Sequence, residues 1–246
     1  MRSITGWILA LLVLLVLVGG CVISGGVEEP GIRAGELQTE SRSVERQGAE
    51  SIVANVTMGA GQLRISGGAQ QLLDARFIYN VPEWRPSVEY NVNGSEGNLV
   101  VQQPDTDRIP LRANTRYEWD LRLRNDVPMD LAVDLGAGQS NLDLRGIDLA
   151  ELDLETGAGQ TVVDLTGDWR RDVTATIDAG VGQFTLRLPE NVGAHVEIDR
   201  GIGLVDAEGL GRDGDAYVND AFGKTPVTMR VMVNAGVGKI DLEVGA

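Results

Sequence analysis

From residue 131 to the end of the chain, apolar residues fall on alternate positions on either side of a short glycine motif that keeps returning. The runs before the motif read Leu131, Val133, Leu135; then Leu152, Leu154; then Ala175, Ile177, Ala179; then Val196, Ile198; then Val231, Val233, Ala235. The runs after it read Leu142 and Leu144, Val163 and Leu165, Leu186 and Leu188, and Leu242 and Val244. Strict alternation predicts strands with one buried and one polar face. Each unit therefore reads as strand, glycine corner, strand and turn, with turn signals at Gly146-Ile147-Asp148, Gly167-Asp168 and Pro189-Glu190-Asn191.

The corners are the glycine pairs Gly136/Gly138, Gly157/Gly159, Gly180/Gly182, Gly201/Gly203 and Gly236/Gly238, with an upstream copy at Gly59/Gly61. Successive first glycines from Gly136 stand 21, 23, 21 and 35 residues apart. A period of this size marks a solenoid, because each unit buries its apolar face only by stacking on the next. The position three after the first glycine is Gln62, Gln139, Gln160 and Gln183. Like amides at one phase suit a coil, in which equivalent residues stack about 4.8 Å apart. The expected fold is all-β, a single-stranded β-helix-like solenoid with an irregular β cap at its N-terminal side.

Residues 49–127 form the looser part. Ile52, Ala54, Val56 and Met58 alternate into Gly59, and Leu63 and Ile65 alternate out. Further strands are expected around Phe77 and Tyr79, Val88 and Tyr90, Leu99 and Val101, and Tyr117 to Leu123, with Asn93-Gly94 as a hairpin turn. This segment is expected to close one end of the coils in residues 128–246. The extra length between Gly203 and Gly236 reads as an extruded loop around Gly209–Asp215 and a turn at Ala221–Pro226.

Composition changes the picture at the N-terminus. Residues 1–20 carry Arg2, an apolar stretch from Gly6 to Val18 and small residues before Cys21, the single cysteine. This is the form of a signal peptide, too short to span a membrane as a helix. It resembles a bacterial lipobox, which implies lipid modification of Cys21, a membrane anchor through that lipid, and an extracytoplasmic location. Residues 21–48, rich in Gly, Glu, Ser, Arg and Gln, are expected to be a flexible tether. The net charge of −15 repels phosphate backbones, so no nucleic-acid partner is expected.

Candidate chemistry is sparse. The glycine motifs run into strands rather than helices, which excludes a dinucleotide fingerprint, and no nucleotide or other cofactor is expected. Two positions before each corner stand Asp134, Glu155, Asp178 and Asp199, followed in sequence by Asn234. Stacked carboxylates repel, so these four are candidates for a bridging cation such as Ca²⁺, against the alternative of screened, solvated side chains. His195 stands alone, so neither a transition-metal site nor a catalytic triad is expected. The column Asp143, Asp164, Arg187 and Glu243 could serve a glycan-active enzyme or ordinary salt bridges. Trp84, Tyr90, Tyr117 and Trp119 could stack on a ligand or fill the core of the cap.

The run NVTMGAGQLRISGGAQQLLDARFIYNVPEW and the series DLGAGQSNLDL, LETGAGQTVVDL and DAGVGQFTLRLP resemble the bacterial toast-rack family of adhesin-like β-solenoid domains over residues 35–246. The second half is similar to the C-terminal domain of the cell-wall-active antibiotic response proteins. The resemblance implies an envelope domain without catalytic residues. The expected role is non-enzymatic binding, adhesion or sensing, with an envelope protein, a glycan or a cationic peptide as partner. The alternatives are an accessory to an envelope-stress two-component system and a glycan-active enzyme.

Overall fold

The structure, a computed structural model, describes residues 34–104 and 114–245. The expected signal peptide, Cys21 and the first part of the tether lie outside the described residues. Thirteen strands follow one another among the described residues: β1 Gln38–Val44, β2 Ser51–Gly67, β3 Leu73–Tyr79, β4 Ser87–Asn93, β5 Glu96–Gln102, β6 Tyr117–Leu123, β7 Met129–Asp143, β8 Leu149–Asp164, β9 Val173–Pro189, β10 Gly193–Glu208, β11 Gly211–Asp213, β12 Ala216–Val218 and β13 Thr228–Gly245. One 3-10 turn covers Pro82–Trp84.

Each of β2, β7, β8, β9, β10 and β13 is a full coil of two arms meeting at its glycine motif. They stack in parallel and in register, in the order β2–β7–β8–β9–β13–β10. The first glycine of every motif drops out of the pairing, which resumes at the next residue. Interior positions run five, three and one before that glycine and four, six and eight after it. The alternation changes phase across the corner, so the chain bends there and both arms face one core. Leu131, Val133 and Leu135 of β7 are buried on the first arm, with Ser140 and Leu142 on the second and Leu144 just beyond it. The two interior columns that flank the corner trade volume: Leu135 accompanies Ser140, whereas Ala179 accompanies Phe184 and Ala235 accompanies Ile240. A void of only about 20 Å³ remains under the corners of β9, β13 and β10.

The glycines follow from this stacking. A Cβ on Gly159 would overlap the carbonyl oxygen of Gly138, and one on Gly182 would overlap that of Gly159. Both residues also have positive φ, 140° and 145°, a conformation that side chains disfavour.

Three features differ from the expectations above. Residues 38–44, expected within the tether, form β1, which pairs antiparallel with β3. Its side chains are mostly exposed, and backbone hydrogen bonds hold it, so composition carries no sign of it. Second, the last coil in sequence is not the last in space, since β13 inserts between β9 and β10. The long interval before Gly236 holds the hairpin β11–β12, which covers β10 at His195 and Val196. His195 is thereby half-buried, its ring centroid 5.2 Å from that of Phe222.

Third, the cap is an opened coil. β5 runs parallel to the first arm of β2 and β6 to the second. The corner between them has no glycine motif. Instead Gln103 Oε1 accepts from Gly59 N at 2.9 Å, and the Tyr117 carbonyl lies against Gly61. β4 extends the first-arm side of this cap, while β3 and β1 extend the second-arm side. Inside it Phe77, Trp84, Tyr117 and Trp119 pack as a buried cluster, with neighbouring ring centroids 5.4 to 5.5 Å apart. Burial pushes the Tyr117 hydroxyl pKa up.

Candidate functional site

The second arms, extended by β6 and β3, present one continuous outer face. Register brings two rows of side chains across it. One row reads Ile78, Glu118, Gln62, Gln139, Gln160, Gln183. The other reads Arg76, Asp120, Arg64, Asn141, Val162. Neighbours within a row are one strand apart, about 4.8 Å. Where β6, β2 and β7 meet, this face is concave, with a groove of about 460 Å³ over both rows. A second hollow of about 620 Å³ continues it past the corner between Gly61 and Arg116.

Part of the first row is spent on the fold. Gln139 Nε2 donates to Gln160 Oε1 at 3.3 Å, and Gln160 Nε2 donates to Gln183 Oε1 at 2.8 Å. The ladder stops there, because Gln62 is in register with Gln139 without a side-chain hydrogen bond to it. Glu118 pairs with Arg116 at 2.5 Å. Asp120 stands between Arg64 and Arg76, one strand from each, yet none of the three forms an ion pair among the described residues. The groove thus holds amides, two guanidiniums and a carboxylate that the fold does not use. Ile78 and Val162 supply apolar flanks.

The acidic column is arranged differently from its order in sequence. In space it runs Asp134, Glu155, Asp178, Asn234, Asp199. Asn234 separates the last two carboxylates and donates through Nδ2 to Asp178 Oδ1 at 2.7 Å. Among the described residues no group of three or more His, Cys, Asp or Glu side chains is placed to hold a metal ion. In the column read as a possible catalytic set, Arg187 pairs with Glu243 at 3.0 Å and lies 3.9 Å from Asp164, while Arg145 pairs with Asp143 at 2.7 Å. Arg145 holds the Asp143 carboxyl below its ordinary pKa. Three of the four candidate aromatics are cap core, and Tyr90 is half-buried, donating to the Arg46 carbonyl at 2.6 Å.

The groove residues Arg64, Arg76 and Asp120 are scattered in sequence, and only the pairing of β3 and β6 onto β2 assembles them. The repeating glutamines were the one part of it visible beforehand. No helix among the described residues is long and apolar enough to cross a membrane.

Known proteins resemble the chain as follows. Residues 33–187 match the family described as the N-terminal domain of toast_rack, DUF2154. A solved candidate cell adhesion protein from Clostridium sporogenes is 33% identical, with a TM-score of 0.83 over 85% of this chain and 100% of that one. A candidate adhesin from Bacteroides fragilis is 10% identical, with a TM-score of 0.32 over 84% and 97% of the two chains. No curated protein matches significantly. With the family match spanning well over half of its length, on a stack of glycine-cornered coils, the chain belongs to the toast-rack family.

Proposed function

We propose that this protein is a non-enzymatic adhesion module of the bacterial envelope, tethered by a lipid on Cys21, whose outer groove binds an extended glycan. The observation that carries this reading is the pair of side-chain rows on the second-arm face. They form a concave array of donors and acceptors at strand spacing, several of them without internal partners. A linear sugar chain offers hydroxyls that suit such an array, and the apolar flanks at Ile78 and Val162 suit the faces of sugar rings. The Clostridium relative, described as a candidate cell adhesion protein, supports a binding role. The acidic and basic side chains of the Asp143 column are engaged in ion pairs, which favours structural salt bridges over a hydrolytic pair there.

The test is binding of the purified full chain to immobilised envelope and plant polysaccharides. The double variant Gln62→Ala/Asn141→Ala removes two groove hydrogen-bonding groups worth about 1 kcal/mol each, so affinity should fall about tenfold or more. A variant that binds every polysaccharide as well as the parent refutes the groove. For the anchor, Cys21→Ser should move the protein from the membrane to the soluble fraction, since one residue carries the lipid.

A further inference from the structure

Resting on the groove reading, we infer that the ligand is an anionic polysaccharide, its oxyanions held by Arg64 and Arg76. The chain is strongly acidic, with 36 Asp and Glu against 21 Lys and Arg. Most of its described arginines are consumed locally: Arg85 by Glu40, Arg116 by Glu118, Arg145 by Asp143 and Arg171 by Asp148, for example. Only the side chains of Arg46, Arg64, Arg76, Arg122 and Arg170 make no ion pair, hydrogen bond or ring contact among the described residues. Three of those five stand together, on β2, β3 and β6 of one face. Arg64 and Arg76 flank Asp120 in the groove, while Arg122, two residues along β6, stands in register with Asp74 and, after the Ser43 hydroxyl, helps hold that carboxyl below its ordinary pKa, which leaves Arg64 and Arg76 as the pair free for a ligand.

An unpaired arginine beside an unpaired aspartate, in a protein with carboxylates to spare, leaves guanidinium forks open toward solvent. Each fork matches a carboxylate or sulfate through two parallel hydrogen bonds. The two forks stem from strands two spacings apart, about 10 Å. Asp120 between them is an acceptor and repels a further anion, so it selects a hydroxyl at that point. The pattern along the row is oxyanion, hydroxyl, oxyanion. A neutral glycan leaves both guanidiniums unmatched, whereas a polyuronate or a sulfated glycan matches all three positions. The two open guanidiniums, set in a negative surface, would draw the ligand to this groove and away from the rest of the molecule.

The full chain in detergent micelles is titrated with polygalacturonate, heparin and neutral dextran, at low and at high salt. Polygalacturonate or heparin should bind at least tenfold more tightly than dextran, with affinity falling as salt rises. Tighter polygalacturonate names the carboxylate as the oxyanion, and tighter heparin, which carries both groups, brings in the sulfate. Arg64→Gln/Arg76→Gln should lose at least tenfold toward the polyanion, with little change toward dextran. Both residues are exposed, and an unchanged melting temperature confirms that the variant is folded. Equal affinity for dextran and the polyanions, or arginine variants that bind like the parent, overturns the anionic assignment. If dextran binding is lost in Gln62→Ala/Asn141→Ala but untouched by the arginine changes, the groove stands and its charge preference falls. If none of the three polymers binds, both fall.

Discussion

Replacing Gly159 with alanine tests the stacking of the corners at a single atom. The added Cβ meets the carbonyl oxygen of Gly138 in the coil below, and neither backbone can retreat without breaking register on both sides. Forcing a side chain into a close-packed site costs about 1–3 kcal/mol, and holding alanine at φ of 140° adds about 1–3 kcal/mol. Gly223 separates the two effects, because its φ is 74° but nothing lies within reach of a Cβ there. Gly223→Ala should cost only the conformational part, about 1 kcal/mol. For a chain of this size 1 kcal/mol shifts Tm by about 2–4 °C. Gly159→Ala is therefore expected to melt roughly 10 °C below the parent, and Gly223→Ala only about 3 °C below it. Thermal unfolding followed by circular dichroism reads both. Equal shifts would mean that the glycines answer to local chain conformation alone and that close approach of neighbouring coils does not explain their columns.

Further outcomes follow from particular contacts. Ser140 Oγ donates to Thr161 Oγ1 at 2.9 Å in the core, so Ser140→Ala strands a buried hydroxyl and should cost about 1–3 kcal/mol in urea unfolding. Adding Thr161→Val, which removes the second hydroxyl, should restore most of that loss. Glu40 accepts hydrogen bonds from Arg85, with Arg42 beside it, and these hold its pKa below the ordinary value despite burial. A lowered folded-state pKa gives stability that is present above the ordinary value and fades as pH falls through the folded one. The Tm gap between parent and Glu40→Gln should thus be widest near neutrality and close below about pH 4. Arg200 Nη1 donates to the Gly203 carbonyl at 2.8 Å, the corner carbonyl with no further coil to receive it. Arg200→Ala should barely alter Tm yet raise light scattering on prolonged incubation, as an open edge begins to recruit other chains.

The coil was legible because its cause is local and repeated. The apolar phase around Gly136, Gly157 and Gly180 states both the strand faces and the corner. The order of the last two coils was not, since Val196 and Ile198 carry the same pattern as Val231 and Val233. What sets the order is long-range: Asn219 accepts from Ala194 N and donates to the Pro189 and Val192 carbonyls, closing the chain at the entry to β10. The unusual interval before Gly236 hinted at an interruption without saying where the chain returns. The opened coil of β5 and β6 was hidden for the opposite reason. A side chain from Gln103 and the backbone of Tyr117 take the place of a glycine corner, so no motif marks it. β1 and the groove share one obstacle, because both depend on which strand lies beside which, and the alternation within a strand is silent about its neighbours.

The two ends of the stack meet the exposed-edge problem by different means. At the β2 end, antiparallel strands on both arms carry the sheet away from the coil, ending it on β4 beside the first arm and on the polar strand β1 beside the second. At the β10 end the hairpin covers only the first arm, and Ile202 and Leu204 stand 77% and 71% exposed on the uncovered part. Another parallel coil could dock there only with glycines at its own corner, for the same reason that every coil in the stack needs them. An antiparallel copy of the same edge, placed so that the core-phase positions 200 and 198 meet the core-phase positions 205 and 207, would set Asp199 against Asp206 and Glu197 against Glu208. Like charges directly opposite are destabilising. The phase change at the glycine corner lets this antiparallel register keep the core continuous, and in it the carboxylates of the last coil oppose pairing of an edge that its apolar residues would otherwise leave adhesive.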